Sequence, residues 1–189
     1  MKTGMIGLGA MGQGMARQLA GAGFLSAIYN RTLSKAQELV EELKVSAYNR
    51  PEDLAAQVDL VLICVSADQD VLEMITAIAK TIKPGAIVVD LSTVSSETAL
   101  MAAKMLAERQ VAFLDAPVSG GVEGAKNGTL SMMVGGDVVI LEQARPILAS
   151  MVARITHMGE VGSGQATKAV NQIMCAGINQ AVTEALAFG

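Results

Sequence analysis

Three glycines near the amino end, Gly7, Gly9 and Gly12, stand at the spacing G-x-G-x-x-G, directly after Met5-Ile6 and directly before a run of helical period. No other feature limits the fold as much. A strand that turns at once into a helix needs Gly7 for the tight turn and Gly12 for close packing of helix on strand, while Gly9 lets a pyrophosphate approach the backbone. The free N–H groups and the dipole at the start of such a helix favour an anion. Gly7, Leu8, Gly9, Ala10, Met11 and Gly12 are therefore candidate cofactor contacts.

The rest of the chain continues the alternation. "MIGL", "LSAIYN", "DLVLICV", "AIVVDL" and "VAFLDA" read as strands covered on both faces. Helical runs lie between them: "MGQGMARQLAGAG", with Met11, Met15 and Leu19 at i, i+4, i+8, then "LSKAQELVEELK", "DQDVLEMITAIAKTI" closed by Lys83-Pro84-Gly85, and "SSETALMAAKMLAERQ". Strand, helix, strand in this order calls for right-handed crossovers. The expected fold is α/β, a doubly wound, mainly parallel Rossmann-type sheet ending in a long helix. After Gly120 the rhythm changes to a glycine-rich stretch with a strand at "LSMMVG", a helix near Val138 to Ser150 and a last strand around Arg154 to His157. "GEVGSGQ" then opens a final helical run.

Composition excludes several function classes. Apolar residues make up 51% of the 189 and charged residues 17%, which suits one filled core. A net charge of -4 and 3% aromatic residues offer neither a basic face nor stacking platforms, so no nucleic-acid partner is expected. His157 and the cysteines Cys64 and Cys175 do not fall at zinc-site spacings, and no metal is expected. Both thiols read as reduced core residues and His157 as structural. The apolar runs are too short to span a bilayer, so a soluble, cytoplasmic protein without a membrane partner is expected.

The second strand ends at Asn30, followed by Arg31 and Thr32. An acidic residue here would accept from a ribose 2′-hydroxyl and repel a 2′-phosphate, whereas Arg31 can clamp that phosphate with a planar, always-charged fork. The cofactor expected is NADP, with NAD second. Thr32 and Ser34 offer hydroxyls, and the next helix offers its dipole. A plainer reading stands beside this one: Ser34 with Gln37 as a capping box, Asn30 as a turn former, and Arg31 lying over adenine.

"GMIGLGAMGQGMARQLAGAGF", "YNRT", "DLSTVSSET", "FLDAPVSGGVEGAKNGTLSMMVGG" and "GEVGSGQATKAVNQ" together resemble the β-hydroxyacid dehydrogenases, the family of 3-hydroxyisobutyrate dehydrogenase and tartronate semialdehyde (2-hydroxy-3-oxopropionate) reductase. The resemblance runs through essentially the whole chain. It implies that Ser119, Gly120 and Gly121 hold a substrate carboxylate and that Val65, Ser66 and Thr93 line the nicotinamide side of the cofactor. A glycine-rich turn with successive N–H groups is chemically suited to an anion. The resemblance also assigns proton transfer to Lys168, and by helical geometry Asn171 and Gln172 fall within roughly 60° of it on one face. Which of the two amides contacts substrate stays open. Glu123 and Lys126, flanking the loop, read as surface charge.

By the same resemblance, residues 1–161 form the dinucleotide-binding domain and residues 162–189 begin an interdomain helix, the family's second, all-helical domain being absent. The apolar residues between Ala166 and Phe188 exceed what one side of a lone domain covers, so either the remainder of a longer protein or another copy is expected to pack on that helix, and a homo-oligomer through it is the expected partner. Two functions follow. One is an NADP-dependent oxidoreductase acting on a small hydroxyacid or semialdehyde. The other is a catalytically incomplete NADP-binding module that assembles through its terminal helix. Lys168 and "DAPVSGG" favour the enzyme, and Lys168 also disfavours an imine reductase of related fold.

Overall fold

The computed structural model describes residues 1–189. Its first half is a parallel sheet. β1 (Thr3–Ile6), β2 (Leu25–Tyr29), β4 (Leu60–Ile63), β5 (Ile87–Asp90) and β6 (Ala112–Asp115) alternate with α1 (Ala10–Gly21), α2 (Leu33–Leu43), α4 (Asp68–Ile78) and α5 (Ser96–Ala107). Two short elements, β3 (Ser46–Ala47) and α3 (Pro51–Ala55), lie between α2 and β4. The sheet order β3-β2-β1-β4-β5-β6 makes β1 and β4 neighbours, so the chain reverses its winding between them. In open sheets of this kind, ligands bind outside the carboxyl ends of the strands at that reversal.

Burial on both faces explains the unbroken apolar strands. Along β4, Leu60 and Leu62 join one core cluster with Met5, Met15, Leu19, Val89 and Leu114. Val61 and Ile63 join the other, with Ile6, Val88, Val71, Ile75 and Phe113. The expected stripe on α1 is present: Met15 and Leu19 are fully buried, and Met11 packs partly buried against the same cluster.

Beyond β6 the sheet changes direction. β7 (Val118–Ser119) and β8 (Leu130–Gly135) run antiparallel to each other, β6 meets β8 antiparallel at Asp115 and Gly135, and β9 (Val152–Gly159) lies parallel to β8. α7 (Val138–Leu148) joins β8 to β9, and the 26-residue α8 (Ser163–Phe188) follows.

Several sequence expectations need correction. The "GGVEGAKN" stretch is no loop: it forms α6 (Gly121–Asn127), ended by Gly128 in the left-handed region at φ 69°. α6 lies on α1, where a Cβ on Gly14 would come within 3.0 Å of the Ala125 Cβ. The capping box at Ser34 and Gln37 is absent. α2 starts at Leu33 with Thr32 as its N-cap and no capping side chain, because the chain leaving β2 turns earlier. α4 stops at Ile78, before Lys83-Pro84-Gly85. Cys64 is a half-buried free thiol against the core, but Cys175 lies exposed on α8, where nothing covers that part of the helix.

His157 sits on β9 with Nε2 2.7 Å from the Gly136 carbonyl, a structural contact in keeping with the reading above. No helix is long and apolar enough to cross a membrane.

Candidate functional site

The turn after β1 is built as its glycines require. Gly7 has φ 93°, and a Cβ there would lie 2.1 Å from the Cys64 carbonyl oxygen. A Cβ on Gly12 would lie 2.0 Å from the Gly7 carbonyl oxygen. Gly9 differs: nothing stands within 4 Å of its Cβ direction, so its hydrogen faces open space. Gly9 is also the N-cap of α1, with no capping side chain and no acidic residue in the first turn. The unpaired N–H groups and positive dipole end of α1 are thus left for an anion, and the turn fits a dinucleotide pyrophosphate. Leu8 is fully buried, so only its backbone can face a ligand.

A cleft of about 210 Å³ runs from this turn to the end of β2. Of the expected cofactor contacts, the cleft brings together Gly7, Gly9, Asn30, Arg31, Thr32, Val65 and Ser66. Leu8, Ala10, Met11, Gly12 and Thr93 do not line it. Asn30 has a role that sequence did not disclose: its Oδ1 accepts the Leu8 N–H at 2.9 Å and its Nδ2 donates to the Thr32 carbonyl at 3.0 Å, tying the glycine turn to the start of α2. Sequence reading also missed Lys35, Asp70 and Met74 in the wall. Lys35 follows Thr32 by three residues, and that helical offset was the signal available for it.

Two further loops reach the carboxyl edge. Val65 N–H, just after β4, donates to Ser92 Oγ at 2.9 Å. Asp68 receives the hydroxyls of Thr98 at 2.6 Å and Ser95 at 2.7 Å, and these bonds hold its carboxyl down at about 2. The loops after β4 and β5 are thereby braced. Burial pushes the Cys64 thiol up to about 12, with the nearby Asp90 carboxyl adding to it, so the thiol at the cleft wall is unreactive.

Lys168 lies in the second turn of α8. It is 7% exposed and takes part in no ion pair. Burial lowers its pKa from the ordinary lysine value, with only the Cys175 thiol opposing. Asn171, half-buried, and Gln172, exposed, follow on the same helix, the Asn171 amide donating to Gln172 Oε1 at 3.3 Å. Ser119 ends β7, and Gly120 and Gly121 take φ of 134° and 64° into α6. These six residues do not line the nucleotide cleft.

Residues 2–159 match the family model described as the NAD binding domain of 6-phosphogluconate dehydrogenase. An uncharacterized oxidoreductase of Shewanella frigidimarina is 40% identical over 190 residues, covering 99% of this chain and 65% of the relative. The 2-hydroxy-3-oxopropionate reductase of Escherichia coli is 36% identical over 191 residues, covering 100% of this chain and 65% of the reductase. The structure of 3-hydroxyisobutyrate dehydrogenase from Mycobacterium tuberculosis with L-serine superposes at TM-score 0.93 with 33% identity, over 97% of this chain and 63% of that one. This chain belongs to the β-hydroxyacid dehydrogenase family. It spans less than two thirds of the length of each of these relatives.

For a β-hydroxyacid dehydrogenase domain, the arrangement is chemically coherent. The glycine turn follows β1, Val65 and Ser66 follow β4, Thr93 follows β5 and the "DAPVSGG" segment begins at the end of β6. All four loops leave the carboxyl ends of parallel strands, the edge that an α/β sheet uses for ligands. Uncapped N–H groups stand at one end of the cleft, and Arg31 and Lys35 stand at the other.

Proposed function

We propose that this protein is an oxidoreductase that uses NADP(H), in preference to NAD(H), to interconvert a short β-hydroxyacid and its semialdehyde or keto form. The observation that carries the reading is Lys168, a buried lysine without an anionic partner. Buried structural lysines are ordinarily paired, whereas one with a lowered pKa suits proton exchange near neutrality. Relatives named for 2-hydroxy-3-oxopropionate and 3-hydroxyisobutyrate support the substrate class. Arg31 and Lys35 at the cleft, where no acidic residue ends β2, support NADP.

Bound NADP(H) supplies the hydride in one direction and accepts it in the other. The chain's own residues do the remaining work. Gly7, Gly9 and the first turn of α1 would hold the pyrophosphate, with Gly12 letting the helix pack against the turn, while Arg31, Thr32 and Lys35 would hold the 2′-phosphate. N–H groups at Gly120 and Gly121, with the Ser119 hydroxyl, receive the substrate carboxylate. Lys168 gives a proton to the carbonyl oxygen during reduction and removes it during oxidation, with Asn171 or Gln172 beside it on the substrate.

A panel of small semialdehydes assayed with NADPH on the full-length protein tests this reading. Lys168→Ala is expected to lower kcat by roughly 10² to 10⁴-fold while leaving cofactor affinity nearly unchanged. A variant that keeps its kcat would refute the assignment.

We further propose that residues 1–161 act as the dinucleotide-binding unit and that the following helix carries an assembly surface. Met174, Ile178 and Val182 are 60%, 59% and 53% exposed and recur every four residues, an apolar stripe along one side of the helix that a second copy would cover. Light scattering in which Met174→Glu with Ile178→Glu leaves the mass of the 189-residue chain unchanged would count against that surface.

A further inference from the structure

Lys168 makes no ion pair, so its location depends on how the start of α8 is held. Two buried side chains hold it. Asp115, the last residue of β6, is fully buried; its Oδ1 accepts the Gly162 N–H at 2.8 Å and its Oδ2 accepts the Gln165 N–H at 2.9 Å. These are groups that a helix start leaves unpaired, and a carboxylate from a neighbouring strand satisfies two of them while its charge complements the positive end of the helix dipole. Gln165 is 2% exposed, and its amide is used at both ends: Oε1 accepts the Val94 N–H at 3.1 Å and Nε2 donates to the Ser92 carbonyl at 2.8 Å. Gln165 therefore grips the chain on both sides of Thr93. Ser92 in turn accepts the Val65 N–H, so the loop after β4 joins the same unit.

Close approach of the helix is enforced as well. A Cβ on Gly164 would lie 2.5 Å from the Met133 carbonyl oxygen and 2.7 Å from that of Asp115. The first turn of α8 cannot slide on β6 and β8 without breaking these contacts. Lys168 follows Gln165 by three residues, less than one helical turn, so any tilt of the first turn displaces it.

We propose that Asp115 and Gln165 are positioning residues for the reaction: Asp115 anchors the first turn of α8, and Gln165 bolts that turn to Ser92 and Val94, fixing Lys168 relative to Thr93. The inference rests on the reading of Lys168 as the proton-transfer group. Its chemical content is orientation. A misplacement of about 1 Å in a reacting group can cost on the order of 10²-fold in rate.

The test uses the full-length protein with NADPH and a small semialdehyde. Gln165→Ala and Asp115→Asn are expected to lower kcat roughly 10- to 100-fold while changing the KM for NADPH by no more than about threefold. Gln165→Glu supplies a readout that a merely structural role would not move. As a carboxylate it presents an oxygen to the Ser92 carbonyl, whereas as a neutral acid it donates there as the amide does. Its kcat relative to the parent is expected to recover as pH falls, while that of Gln165→Ala stays flat. Amide exchange at Val94 reads the anchor without turnover and is expected to quicken about tenfold or more in Gln165→Ala.

Should Asp115→Asn fail to fold, the two Gln165 variants carry the test. Unchanged kcat in Gln165→Ala beside a dead Lys168→Ala would overturn the positioning role and leave the lysine assignment standing. A fully active Lys168→Ala would overturn both. Unaltered Val94 exchange, or a Gln165→Glu profile parallel to that of Gln165→Ala, would overturn the bolt.

Discussion

Arg31 donates from Nη1 to the Asp70 carboxylate at 3.0 Å, and both residues line the cleft that holds Gly7 and Gly9. The Arg31 side chain is 80% exposed, so the pair contributes little, about 1 kcal/mol or less. A 2′-phosphate carries more charge than one carboxylate and accepts a fork of two N–H groups, so it is expected to take Arg31 from Asp70.

That competition gives a two-sided outcome. Arg31→Asp is expected to reverse or abolish a preference for NADPH over NADH, a loss of about 1.5 to 3 kcal/mol. Asp70→Asn frees the guanidinium and removes a like charge from the phosphate, so it is expected to tighten NADPH by roughly two- to fivefold and NADH hardly at all. Titration calorimetry with both cofactors checks this, and equal affinities in the parent protein would end the argument.

The glycines separate binding from folding. Gly12→Ala drives a methyl into the Gly7 carbonyl oxygen, a backbone atom that cannot swing aside, and is expected to cost at least about 1 to 3 kcal/mol of stability. Gly9→Ala meets only open space and lies at φ -70°, so it is expected to cost about 1 kcal/mol or less while weakening NADP(H) by about tenfold or more. Denaturation midpoints and cofactor titrations, run together, show whether the two positions divide in this way.

The same contrast shows what the sequence could and could not disclose. The parallel half of the sheet was legible because each strand is buried on both faces and each helix carries one apolar stripe, patterns written in neighbouring residues. α6 was hidden because three of its features are glycines: Gly121, Gly124 and Gly128 suggest a loop, yet a Cβ on Gly124 would come within 3.0 Å of Leu130. Asp115 and Gln165 were likewise invisible as a unit. Their partners lie 47 to 73 residues away, and nothing local distinguishes such an aspartate from one that merely ends a strand. Cys175 was misplaced for the opposite reason, since an apolar run does not reveal which of its residues lack a neighbour.

Asp90 supplies a stability test. It is fully buried at the end of β5; Oδ1 accepts the Ser92 N–H at 2.9 Å, and Oδ2 has no partner. Burial pushes its carboxyl up from 3.8 to about 7. The folded protein therefore holds this proton more tightly than the unfolded chain. Stability from this group is full below about pH 4, declines as pH rises towards about 7, and levels off above, a fall of at most roughly 4 kcal/mol. Asp90→Asn, which mimics the neutral acid, is expected to gain on the parent steadily between about pH 4 and about pH 8. Asp115, also raised by burial, is common to both proteins. A constant difference in urea midpoint across that range would show that Asp90 is not held neutral.

The pH dependence of turnover tests Lys168 in both directions. Its pKa lies below 10.5 because burial disfavours the ammonium form, and no carboxylate is placed to restore it. Carbonyl reduction needs the protonated lysine, so kcat/KM for the semialdehyde is expected to fall as pH rises through the lowered value. Oxidation of the hydroxyacid needs the neutral amine, so that rate is expected to rise through the same value. Lys168→Arg keeps the positive charge and similar length, but a guanidinium does not release its proton in this range, so both rates are expected to collapse while NADPH binding persists. Rate profiles on the full-length protein that inflect only at or above 10.5, or that keep their inflection in Lys168→Ala, would assign the proton to another group.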